Sequence, residues 1–86
     1  MYFQSDAKYT RVVLAQSDAY IRTPLKDLLA ELDPDKFWQI HRSTVVNLDQ
    51  VAGVLREDAE RQFVLLKQRP ERLTISRQFT HLFKQM

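Results

Sequence analysis

The 86 residues contain no cysteine, so disulfides and thiolate metal ligands are excluded, and a reducing compartment such as the cytoplasm is the natural setting. Glycine occurs once, as Gly53, which removes every glycine-rich loop that could cradle a nucleotide phosphate. The two histidines, His41 and His81, are far apart and lack companion donors at metal-ligand spacing, so no metal and no cofactor is expected. No apolar run approaches the roughly 20 residues that cross a bilayer, and no signal pattern opens the chain. No membrane contact is expected.

What is present describes one small domain spanning 1–86. Hydrophobic residues make up 44% and charged residues 28%, an ordinary balance for a folded chain, although a domain this short buries a modest share of its surface. The formal charge is only +2 with a pI near 9.2, but the signs are unevenly placed. Acids gather in "ELDPD" (31–35) and "EDAE" (57–60), while Lys8, Arg11, Arg42, Lys67, Arg69, Arg72 and Arg77 are spread along apparent strands and joints. A fold that collects these bases on one face would suit a polyanion.

Periodicity gives a mainly β chain. "KYTRVVL" (8–14) and "AYIR" (19–22), rich in β-branched and aromatic residues and separated by a polar turn, read as a hairpin. "TPLKDLLAEL" (23–32) reads as a short helix with Thr23 as N-cap, Pro24 at the first helical position and leucines at 25, 28, 29 and 32. Short β segments follow at 37–41, 44–48, 51–57, 61–67 and 72–75, with "EDAER" and "QRPE" as loops. A second helix is predicted over 76–86, with Ser76 as N-cap and Phe79, Leu82, Phe83 and Met86 on one face.

"IHRSTVVN" (40–47) poses the functional question, because His41, Arg42 and Ser43 interrupt an apolar strand. His and Ser two apart share a strand face by alternation alone, and nothing marks a nucleophile elbow, so no enzyme activity is expected. Arg77 opens the last predicted helix, where a cation is unfavourable by roughly 0.3–1 kcal/mol against the helix dipole. Stability does not call for it there; an anionic ligand would.

"FWQIHRSTVVNL" followed by "VAGV", then "LTISRQF" and "LFKQM", together with "YFQSDAKYTRVV" and "IRTPLKDLLAEL", resembles the LytTR family of bacterial DNA-binding domains. The resemblance covers nearly the whole chain and implies an elongated arrangement of small antiparallel β-sheets with two short α-helices. It further implies sequence-specific binding of double-stranded DNA at promoter repeats, as the output domain of a transcriptional response regulator whose full-length form carries a receiver domain. Carried over by position, the DNA-contacting residues are Lys8, Thr10 and Arg11 in the turn between the first two strands, with Thr10 reading a base. Arg42 and Arg77 would also read bases, and Ser43 would meet a phosphate or the backbone. His41 is assigned a structural role within the strand joint, and Asn47 the following turn. Because the chain starts at "MYFQS", the resemblance also implies that the family's first strand is absent. An open sheet edge of that kind invites pairing, including a homodimer. The alternative from another class is a small β-rich protein-interaction module meeting an acidic partner through the same basic face. An RNA-binding module ranks third, for want of an evident exposed aromatic pair.

Overall fold

A computed structural model describes residues 1–6, 8–58 and 61–83. Five strands, β1 (Tyr2–Asp6), β2 (Tyr9–Val13), β3 (Asp18–Ile21), β4 (Phe37–His41) and β5 (Thr44–Asn47), form one antiparallel sheet in the order β3-β2-β1-β5-β4. A second sheet holds β6 (Val51–Arg56), β7 (Gln62–Leu66) and β8 (Arg72–Ile75) in sequential order. The chain is mainly β and antiparallel, as expected, and measures 35 × 26 × 23 Å.

β1 is the central strand of the larger sheet, paired on one side with β2 and on the other with β5. The sheet's open edges are therefore β3 and β4. Register explains the burial. Tyr2, Val13, Val46, Trp38 and Ile40 share the face that meets the second sheet, where Val64, Leu66, Leu73 and Ile75 complete the core with Phe83. Phe3 and Phe37, with ring centroids 5.9 Å apart, lie on the opposite face, towards the helix. β5 is buried at three successive residues, Thr44, Val45 and Val46, because it is covered on both faces, so its burial does not alternate. β8, by contrast, buries only Leu73 and Ile75 and exposes Arg72 and Thr74, the period-two pattern of a strand with one wet face.

Two helical expectations are corrected. The first helix, α1, runs only from Leu25 to Leu29, and its N-cap is Pro24 rather than Thr23. The Thr23 carbonyl is instead committed as acceptor to the Thr10 hydroxyl at 2.6 Å. The second is not α-helical but a 3₁₀ segment, Arg77–Phe83. The backbone of Ser76 holds its start, donating to the Ile40 carbonyl at 2.7 Å and accepting from Phe79 N–H at 2.9 Å. Packing sets its path. Phe83 is fully buried against the edge of Trp38, ring centroids 5.2 Å apart, and its carbonyl accepts from the Arg56 guanidinium at 2.5 Å. Met86 lies outside the described residues.

The two sheets are also tied by a polar network. Glu71 Oε2 accepts from the Tyr2 hydroxyl at 3.0 Å and from Arg69 Nε at 2.6 Å. Arg69 also donates to the Leu14 carbonyl at 2.9 Å and approaches Asp18 at 3.6 Å. Burial disfavours the Glu71 carboxylate, but the hydrogen bonds from Arg69, its own backbone and Tyr2 outweigh it and hold its pKa below the usual value. Burial, then the bond to Glu71, raises the Tyr2 phenol.

Candidate nucleic-acid interface

Antiparallel register decides which loops share an end of the larger sheet. Gln4 is opposite both Arg11 and Thr44, and Thr10 is opposite Ile21. The β1–β2 turn with Lys8, the exit of β3 at Arg22 and the β4–β5 loop at Arg42–Ser43 therefore all lie at one end. Two backbone bonds extend this alignment. Ser5 N–H donates to the Ser43 carbonyl at 2.8 Å, and Ser76 N–H to the Ile40 carbonyl at 2.7 Å, which brings Arg77 beside the β4–β5 loop. Adjacent strands are about 4.8 Å apart, so five strands carry this row across roughly 19 Å. Lys8, Arg22, Arg42 and Arg77 are all exposed. Among the described residues, Asp6 is the carboxylate at these strand ends, whereas Asp18, Asp33, Asp35 and Asp49 fall at the sheet's other end.

The conformation of the HRS stretch follows from a bulge. Gln39 is opposite Val45 but His41, not Ile40, is opposite Thr44, so one extra residue in β4 places His41 on the face of Gln4 and Thr44 while Ile40 still enters the core. Arg42 and Ser43 then form a two-residue loop. His41 Nδ1 accepts from the Ser43 backbone N–H at 3.2 Å and is 2.9 Å from Ser43 Oγ. The loop is held by the imidazole and leaves Arg42 exposed at its tip. That is the structural role expected of His41. The Ser–His contact lies within the two-residue turn itself. Asn47 likewise fixes the next turn, its side chain accepting from Asp49 N–H at 2.9 Å.

Not every expected contact residue joins the row. Thr10 has no exposed surface and lies within β2 rather than in the turn, its hydroxyl donating to the Thr23 carbonyl. Arg11 is also in β2, and both Nε and Nη2 of its guanidinium are bonded to Asp18 Oδ2, at 3.0 and 2.5 Å. Ser43 Oγ faces His41. Lys67 follows β7 at the end of the second sheet remote from Ser76. Arg22, in contrast, was not singled out from the sequence, since only the β2–β3 register places it beside Lys8. Tyr9 and Tyr20, 43% and 58% exposed, lie on one face of β2 and β3, two accessible aromatics that sequence reading did not find.

The whole chain, residues 1–86, matches the LytTr DNA-binding domain. The chain belongs to the LytTR family. A LytTr DNA-binding domain from Bacillus cereus superposes on it with a TM-score of 0.87 at 21% identity, covering 98% of this chain and 76% of that one. An uncharacterised response regulatory protein of Vibrio cholerae serotype O1 is 40% identical over 98% of this chain. The CO-responsive transcriptional regulator RcoM of Rhodospirillum rubrum is 32% identical over 69% of it. This LytTR domain spans 33% and 25% of the length of those two relatives. As a LytTR domain it is a DNA-binding unit of transcription regulation, and no helix among its described residues is long and apolar enough to cross a membrane.

Proposed function

We propose that this LytTR domain recognises a specific duplex sequence as the DNA-binding output unit of a response regulator. Arg42 and Arg77 act as base readers, and Lys8 and Arg22 engage phosphates. The observation that carries this reading is the row of four exposed cations at one end of the five-stranded sheet. Its width of roughly 19 Å exceeds the major groove of about 12 Å, so the row is wide enough to meet base edges and the phosphates bounding the groove at once. An arginine donates two bonds in a fork that matches the O6 and N7 acceptors of guanine. A lysine in a turn offers charge without direction and serves position rather than sequence. A receiver domain would occupy part of the remaining length of a full protein, as the relatives' names as regulators suggest.

Titration against a duplex at several salt concentrations tests this. With about 0.9 counterions released per phosphate, two to four neutralised phosphates give a log-log slope of about −2 to −4. Binding that is absent, or indifferent to salt, would remove the proposal.

A further inference from the structure

Behind the Arg42–Ser43 loop the two sheets enclose a concavity of about 230 Å³, lined by Gln4, His41, Ser43 and Thr44 of the larger sheet and by β8 from Arg72 to Thr74. Several backbone and side-chain donors line it beside hydroxyl and carbonyl oxygens. Ser76 donates its N–H away from β7, to Ile40, and backbone groups alternate sides along a strand, so the N–H groups of Arg72 and Thr74 point to the same unpaired edge. His41 Nδ1 is the acceptor for Ser43 N–H, an assignment from the hydrogen-bond network that leaves the ring proton on Nε2 as a further donor. Gln4 brings a side-chain amide with no partner among the described residues. No carboxylate lines the space.

A concave site with several convergent donors, no acid and an exposed arginine loop at its mouth suits an oxyanion. We infer that this concavity receives one backbone phosphate of the duplex, bonded by His41 Nε2–H, the Gln4 amide and the free edge of β8. The inference rests on the DNA-binding reading. The bulge that turns His41 inwards thus has two results: Nδ1 shapes the reading loop, and Nε2 fixes the register of the loop on the sugar-phosphate strand.

The test uses His41→Asn and His41→Gln on the domain with a bound duplex. Asparagine can keep an acceptor where Nδ1 stands but loses the Nε2 donor; glutamine keeps a donor near Nε2 and loses the loop acceptor. Each is combined with a duplex series in which single phosphates are replaced, one at a time, by neutral methylphosphonate. Removing a charge-assisted hydrogen bond costs about ten-fold in affinity. For wild type, one methylphosphonate position should cost about ten-fold. His41→Asn should bind the native duplex about ten-fold more weakly and be insensitive to that same substitution, while His41→Gln, compared at a temperature where both variants are folded, should retain the sensitivity. If the losses from His41→Asn and from every methylphosphonate simply multiply, or both variants lose sensitivity together, the phosphate site is wrong although DNA binding stands. If wild type binds no duplex, the DNA-binding reading falls and the phosphate site with it.

Discussion

Thr10→Val separates a strand-core threonine from a base reader. Valine keeps the β-branched shape but deletes the hydroxyl that donates to Thr23 O at 2.6 Å. Thr10 has no exposed surface, but Thr23 is exposed and water can reach its carbonyl at the entry to α1, so the loss is that of one hydrogen bond, about 0.5–1.5 kcal/mol. In a domain of this size each kcal/mol lowers Tm by about 4–8 °C, so a mid-range loss of about 1 kcal/mol lowers Tm by that amount. Thermal unfolding by circular dichroism reads this directly, and affinity for duplex measured well below the new Tm should be unchanged. An unchanged Tm with weakened specific binding would refute the burial reasoning and return Thr10 to the DNA interface.

The polar network between the sheets predicts opposite limbs in a pH–stability profile. The Glu71 carboxyl, its pKa lowered by Arg69 and Tyr2 against the effect of burial, stabilises the fold above its unfolded pKa, and that contribution is lost as pH falls through the folded value; Glu71→Gln should flatten the acid limb seen by denaturant titration. The raised Tyr2 phenol favours the neutral form, so stability should fall as pH rises beyond the ordinary tyrosine pKa of about 10; a Tyr2→Phe variant with an undiminished alkaline limb would contradict this. Arg22→Gln should reduce the salt slope of duplex binding by about 0.9 without changing sequence preference, and an unchanged slope would take Arg22 out of the interface.

The strands after β1 were legible from the sequence because their cause is local, whereas β1 (Tyr2–Asp6) was not among the segments read as strands. Alternation in "RLTI" and β-branched runs such as "TVVN" mark a pleated surface wherever it is later packed, and these segments fold at the expected places. The last helix was misread because its apolar spacing fits both α and 3₁₀ geometry; the choice is made by Phe83 reaching Trp38 and by Ser76 pairing with Ile40, both long-range. Site residues divide in the same way. His41 and Asn47 act on neighbours two residues away, and their turn roles could be anticipated. Thr10 and Arg11 depend on what faces them across the sheet, Thr23 and Asp18, which no local pattern announces. Arg22 became visible only through register.

The central claim is that Arg42 and Arg77 read sequence from the end of the five-stranded sheet. Competition binding of Arg42→Ala, Arg77→Ala and Lys8→Ala, each on a selected site and on a scrambled duplex of equal length, tests it most directly. Loss of a bidentate guanine contact should cost about 1–3 kcal/mol on the selected site and little on the scrambled one, whereas Lys8→Ala should weaken both alike. Equal weakening of the two duplexes by Arg42→Ala and Arg77→Ala would make both arginines phosphate contacts and contradict the account.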